Sequence, residues 1–335
     1  MSTLPWIGLV VAVFLLTLWT LGPLRDYLSR RGLTDSEGAR TSHTGEVPRG
    51  GGLVLTPVLL AAWIAAGHGL AFDRLTLVVL ATGTAVLFVV CWRDDAGGLP
   101  PLVRLLVQLG VVGVALVLAP PGPVFQGLMA PVAEGGLILL LWVGFLNIFN
   151  FMDGMDGIAG AETVTIGLGS ALVTAVAGLA PVLAVMGLAA AAAVGFLRWN
   201  WHPASIFLGD TGSIPLGFLL GWLLLGLAAS GQWAPALILA LYYLADGGLT
   251  LARRALMGER IWQAHRQHFY QRAFTPGDDQ RPVLKPILVA NGCLMLLATI
   301  AAAGVIWPAL LVAGAVVAAL LWHLERLARA RERSA

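Results

Sequence analysis

The sequence predicts an all-α polytopic membrane protein with ten or eleven transmembrane helices and its polar chemistry gathered in a cleft on the cytoplasmic face. Three observations carry this. Hydrophobic residues make up 58% of the 335 and charged residues 11%, against roughly 25% charged in soluble domains. The apolar residues come in blocks of roughly twenty, and each block can cross about 30 Å of hydrocarbon as a helix. Basic residues fall almost entirely between alternate blocks.

Divided at its polar stretches, the chain yields candidate spans at 4–24, 51–70, 75–92, 101–119, 135–151, 158–178, 181–199, 213–230, 234–252, 284–306 and 307–323. The break at Trp307-Pro308 decides between ten and eleven, because a proline can kink a membrane helix without ending it. No basic residue lies in Met1 to Pro5 and no small-residue cleavage site follows Leu24, so the first block reads as a retained helix. Cys91 and Cys293 lie in apolar blocks without CxxC spacing, which favours packing over a disulfide or zinc site. Residues 1–335 read as one integral membrane domain without internal repeats, carrying a basic, His-containing cytoplasmic loop at 253–286 and a cytoplasmic tail at 324–335.

With the amino terminus outside and the carboxyl terminus inside, 19 of the 20 Lys and Arg fall inside and only Arg74 falls outside, as the positive-inside rule requires. The acidic residues follow, with only Asp73 and Glu134 clearly outside. That rule does not demand it of acids, so their gathering on one face asks for a chemical reason. A net charge of +2 gives no ground for a nucleic-acid partner.

Five segments on that face could carry chemistry. Arg93-Asp94-Asp95 sets two carboxylates against hydrocarbon at the inner end of the third span; ionisable groups at membrane depth are costly and tend to be functional, although a solvated loop start paired with Arg93 or Arg104 would look the same. Asn147, Asn150, Asp153 and Asp156 recur every three residues at the end of the fifth span. On a regular helix the set would drift around the axis, and Gly154 and Gly157 supply the break that lets it converge. Interhelical hydrogen bonding explains this run poorly, and capping explains one Asp but not two. Gly209-Asp210-Thr211-Gly212-Ser213 joins a hard carboxylate to small residues whose N–H groups can reach phosphate, a set suited to Mg²⁺ bound jointly with substrate phosphates. Asn200 and Phe207 precede it, Phe207 as a stacking face or an interfacial anchor. The loop from Arg253 to Pro286 holds His265, Arg266 and His268, cationic enough for a pyrophosphate but equally a topology determinant that attracts anionic lipid. Arg40 to Gly52 adds His43 and Arg49 before a glycine run that permits a tight turn.

In this order and on one face, the five segments resemble the polyprenyl-phosphate N-acetylhexosamine-1-phosphate transferases, the membrane members of glycosyl transferase family 4, from about Arg40 to Arg272. The resemblance implies a UDP-sugar donor, a polyprenyl (undecaprenyl) phosphate acceptor, the lipid bilayer as surroundings, UMP as the product released, and Mg²⁺ as cofactor, with Mn²⁺ open as the substitute. It places the enzyme in a bacterial inner membrane. It implies that Asp210 holds the metal, with Asp94 and Asp153 as further candidates. Asp94 and Asp95 would prepare the acceptor phosphate, and His265 and His268 would join them in the catalytic set. Asp156, Asn200 and Phe207 would surround the uridine, while Asn147, Asn150, Asp153, His43, Arg49 and Arg266 would complete substrate binding. The loop Ala-His265-Arg-Gln-His268 looks most like the branch that starts O-antigen or capsule glycans with deoxy-acetamido sugars in lipopolysaccharide and cell-wall biogenesis. The peptidoglycan-precursor phospho-N-acetylmuramoyl-pentapeptide transferase is the alternative within enzymes, and a homodimer stays open. A secondary transporter would place its charges near the midplane on broken helices, often in repeated halves; here they sit at inner helix ends.

Overall fold

The computed structural model describes residues 4–35, 47–70, 72–179, 183–260, 263, 265–275 and 277–333. Among these, eleven long helices account for all eleven expected spans: α1 (Leu4–Arg30), α2 (Gly52–Gly69), α3 (Arg74–Gly97), α4 (Pro101–Leu118), α5 (Pro131–Phe151), α6 (Ile158–Val176), α7 (Leu183–Asn200), α8 (Asp210–Leu227), α9 (Trp233–Leu256), α11 (Arg281–Ala302) and α12 (Ile306–Glu332). A single turn, α10 (Phe269–Arg272), lies in the 253–286 loop, and a two-stranded antiparallel ribbon pairs β1 (Thr34–Asp35) with β2 (Val47–Pro48). The protein is an all-α polytopic membrane protein. Nine continuous helical stretches among the described residues are long and apolar enough to span, α8 and α9 counting as one.

The expected ends shift where local chemistry is stronger than hydropathy. Trp307-Pro308 lies inside the first turn of α12, and the break falls earlier at Gly304, which turns the chain at φ 101°; a proline in a first turn loses no intrahelical bond. Helix α8 begins at Asp210, not Ser213, so the Gly-Asp-Thr-Gly-Ser run is its first turn and not a preceding loop. Gly209 at φ 75° makes the entry, and an acid in the first turn suits the positive end of the helix dipole. Helices α1 and α12 are 27 residues each, roughly 40 Å at 1.5 Å per residue and longer than the hydrocarbon layer.

The core is organised around α8, whose buried residues run on all sides from Asp210 to Leu224. Trp142 of α5 stacks on Phe218 of α8 at 4.9 Å and donates its indole N–H to the Phe218 carbonyl at 2.9 Å. Helix α5 lies directly on α8 because Gly217 and Gly221 leave room for Leu146 and Trp142. This packing brings the ends of α3 and α5 and the starts of α4 and α8 to one place.

Candidate active site

At that place three carboxylates and two guanidinium groups interlock. Asp94 and Asp95 come from the last turns of α3, Arg104 from the first turn of α4, Asp210 from the first turn of α8, and Arg49 from the residue after β2. Arg49 Nη2 lies 2.5 Å from Asp210 Oδ1 and 3.5 Å from Asp95. Arg104 Nη1 lies 2.5 Å from Asp94 Oδ2 and 3.2 Å from Asp210 Oδ2. Asn150 Nδ2 donates to Asp210 Oδ1 at 3.1 Å and to Ser213 Oγ at 2.7 Å. Asp94 also accepts the Leu99 N–H at 2.6 Å, and Asp95 the Thr211 N–H at 3.3 Å. Asp210, 6% exposed, is the hub.

Backbone pairing puts Arg49 there. Phe207 donates its N–H to the Pro48 carbonyl at 2.9 Å, and its own carbonyl receives the N–H groups of Gly50 and Gly51 at 3.1 and 2.8 Å. Gly52 then donates to Leu208 at 2.8 Å, and Thr56 Oγ1 to the Thr211 carbonyl at 2.8 Å. A Cβ on Gly52 would fall onto the backbone of Gly212. The glycine run before α2 and the glycines around Asp210 are therefore two halves of one contact, with backbone packed on backbone as only glycine permits.

From the hub a cleft of about 570 Å³ runs between α3, α4, α5, α8 and α9. Its polar end is Asp210, Arg104, Asn150, Asn147 and Gln108; the rest is apolar, with Leu87, Val90, Leu102, Leu105, Ile214 and Leu251 among its walls. Asn147 Nδ2 bonds Gln108 Oε1 at 2.7 Å. A hydrocarbon-lined groove ending in arginines and carboxylates can hold an amphiphile whose head is a phosphate.

The expected uridine-binding residues are divided. Asp156 is fully buried, its Oδ2 accepting from His202 Nδ1 at 2.8 Å and from the Ala204 N–H at 2.9 Å, while its own N–H donates to Gln280 at 2.9 Å. Asn200 receives the Gly157 N–H at 2.9 Å and donates to the Ile206 carbonyl at 2.9 Å. These two knit the 151–157 turn to the 200–207 segment. Asp153 and Phe207 keep partly exposed faces. Desolvation pushes the Asp153 carboxyl well above the usual range, against the pull of Arg49. His202 Nε2 reaches Asp279 at 3.6 Å, and the hydrogen bonds from Arg281 bring that exposed carboxyl down to about 2.

In the 253–286 loop, His265 and His268 stack with centroids 4.8 Å apart, and His265 meets Phe151 at the end of α5 at 6.2 Å. His265 is half-buried, whereas His268 is 1% exposed and sits against Asp246 of α9. Burial lowers the Arg266 guanidinium, which lies 6.0 Å from the Phe274 ring. His43 lies outside the described residues. Among the described residues no three His, Cys, Asp or Glu side chains form a ready-made metal cluster.

The profile of glycosyl transferase family 4 matches residues 77–228, the segment that holds Asp94, Asp95, Arg104, Asn150 and Asp210. That segment is similar to glycosyl transferase family 4. The chain is 29% identical over 91% of its length to a probable undecaprenyl-phosphate N-acetylglucosaminyl 1-phosphate transferase of Bacillus subtilis, covering 88% of that protein. A decaprenyl-phosphate N-acetylglucosaminephosphotransferase of Mycobacterium tuberculosis is 29% identical over 64% of the chain, and a phospho-N-acetylmuramoyl-pentapeptide-transferase of Synechococcus is 35% identical over 57%. The chain covers 58% of the length of each of these two relatives.

The structure adds three polar residues to those named in the sequence, Gln108 in the cleft, His202 beneath it and Asp246 behind the His loop, and it sets Arg104, named there only as a loop partner of the Asp pair, in the cleft itself. Two had a visible signal. Arg104 is a guanidinium four residues into an apolar block, and Asp246 is the sole charged residue of the 234–252 block. Both fit the rule that intramembrane charge marks function.

Proposed function

We propose that this protein transfers an N-acetylhexosamine-1-phosphate, N-acetylglucosamine-1-phosphate first among the candidates, from its UDP donor to a polyprenyl phosphate at the cytoplasmic face of a bacterial plasma membrane. The observation that carries the reading is the hub of Asp94, Asp95, Asp210, Arg49 and Arg104 at the head of an apolar cleft. The names of the family relatives support the same chemistry. An initiating role in O-antigen or other cell-envelope glycans rests on the His265-Arg-Gln-His268 pattern.

In this reaction an oxygen of the acceptor phosphate attacks the phosphorus that carries the sugar. The bond to the bridging pyrophosphate oxygen breaks, and UMP leaves with that oxygen. Acceptor and donor are both anionic, so alignment and charge neutralisation are what the site must supply. Arg49 and Arg104 can each fork onto a phosphate. A phosphate monoester with a second pKa near 6 is already largely dianionic at neutral pH, so Asp94 and Asp95 have little proton to remove, and positioning is the role their contacts support. Mg²⁺, or Mn²⁺ in its place, fits the donor chemistry: Asp210 with Asp94 offers hard carboxylate oxygens too few to saturate an octahedral ion, as in sites completed by substrate phosphates. Bound there, the ion would neutralise pyrophosphate charge.

Purified protein supplied with polyprenyl phosphate, Mg²⁺ and a panel of UDP-sugars is expected to release UMP with a UDP-N-acetylhexosamine only when the lipid is present. Activity confined to UDP-N-acetylmuramoyl-pentapeptide would establish the alternative that the Synechococcus relative's name suggests. UMP release from none of them would refute the proposal.

A further inference from the structure

We infer that Asp246 is a positioning residue for the reacting loop: from within α9 it fixes the tautomer of His268 and, through the ring stack, the placement of His265. The inference rests on the transferase reading above for its link to turnover, but not for its geometry. Asp246 is fully buried. Its Oδ1 lies 3.2 Å from His268 Nδ1 and accepts the Phe269 N–H at 3.0 Å, while Oδ2 accepts the Tyr270 N–H at 3.2 Å. Both oxygens already receive backbone donors, so the carboxylate acts as an acceptor and His268 Nδ1 carries the proton. His268 precedes the first residue of α10, and the first N–H groups of a helix have no partner within it. Asp246 therefore caps α10 from another helix, doing for it what a local Asp or Ser usually does.

With Nδ1–H committed to Asp246, the other nitrogen of neutral His268 is an acceptor; this Nε2 is buried and has no hydrogen-bond partner among the described residues. His268 stacks with His265 at 4.8 Å and with Tyr270 at 5.9 Å. Tyr270 in turn donates its hydroxyl to the Phe151 carbonyl at 3.1 Å, at the end of α5 that lines the cleft. His265 Nδ1 accepts the Gln267 N–H at 3.3 Å, which leaves the proton of neutral His265 on Nε2, a buried donor of the kind a phosphate oxygen accepts. The carboxylate thus sets the register in which that donor is presented.

The test uses the full-length protein with Asp246→Asn, His268→Asn and the double variant. An asparagine at 246 has one acceptor oxygen where the carboxylate has two, so it gives up either the Tyr270 N–H or the oxygen shared by His268 Nδ1–H and the Phe269 N–H. In ¹⁵N-histidine spectra of the wild type, one ring should show the Nδ1–H tautomer. Amide exchange across residues 268–272 should quicken. Turnover should fall about 10- to 100-fold, the range typical of residues that orient a functional histidine from behind. kcat and kcat/KM should fall together and the donor KM should move less than about threefold. Because Asp246 acts through His268, the double variant should be no slower than the slower single one. An Nε2–H tautomer of His268 in the wild type, wild-type kcat in Asp246→Asn, or losses that multiply in the double variant would overturn the inference. Should Asp246→Asn fail to fold, His268→Asn carries the test, since it keeps a donor to Asp246 and removes only the ring; wild-type kcat there would be equally fatal. Failure of wild-type protein to release UMP from any UDP-sugar would refute the transferase reading and leave the tautomer and exchange results to decide the role of Asp246.

Discussion

Replacing Asp210 with Asn removes the charge at the hub and keeps its shape. Asp210 receives Arg49 at 2.5 Å, Arg104 at 3.2 Å and Asn150 at 3.1 Å. An asparagine keeps one acceptor oxygen and turns the other into an NH₂ facing a guanidinium, so one of the two arginine contacts, a charged hydrogen bond of about 1.5–3 kcal/mol, is lost. The arginines then lose about 1.5 to 3 kcal/mol of the order they bring to the phosphates, or about 13- to 160-fold in kcat/KM at 1.36 kcal/mol per decade. If Asp210 also holds Mg²⁺, the loss is larger and the metal concentration for half-maximal rate rises. Thermal stability should change little, because Arg49 keeps Asp95 and Arg104 keeps Asp94. The assay is UMP release against metal concentration, beside a melting curve of the same preparation. An Asp210→Asn protein that melts normally, turns over within threefold of wild type and needs the same metal concentration would refute the hub assignment.

Gly52→Ala puts a methyl onto the backbone of Gly212 and should cost about 1–3 kcal/mol of stability, as overpacking does, while pushing Asp210 away from Arg49; an unchanged melting temperature would show that α2 and α8 separate freely. Glu325→Gln should loosen the loop from the end of α12, where Arg272 meets Glu325 at 2.9 Å and Arg331 donates to the Ala273 carbonyl at 2.9 Å. The partly exposed pair contributes about 0.2–1 kcal/mol, so residues 265–275 should exchange up to about fivefold faster, and an exchange rate equal to wild type would remove α12 from loop placement. Single cysteines introduced between Arg253 and Lys285 should resist impermeant reagents in intact cells, as the basic count requires; efficient labelling would overturn the topology and move the site to the other face.

How much of this was legible in the sequence follows from which forces act locally. Span positions follow from hydropathy, which each block carries in itself, and all eleven appear. Asp94, Asp95 and Asp210 were legible as candidates because acid at the edge of hydrocarbon is costly enough to need a cause. Arg104 was legible as a neighbour of Asp94, ten residues away, but the meeting of both arginines at Asp210 was not, since Arg49 reaches it across 161 residues and Arg104 across 106. Polar type alone also does not reveal which groups join two loops: Asp156 and Asn200, expected beside the uracil, accept the Ala204 and Gly157 N–H groups. Each interior N–H must find an acceptor, and an irregular turn beneath a cleft has many to satisfy, so the polar residues nearest a site in sequence are the ones most often claimed by its scaffold. The glycines show the opposite limit. Gly52 and Gly212 are weak signals apart, because a missing side chain says nothing about what fills the space; only their contact reveals that each leaves room for the other, and that this closeness holds Arg49 over Asp210.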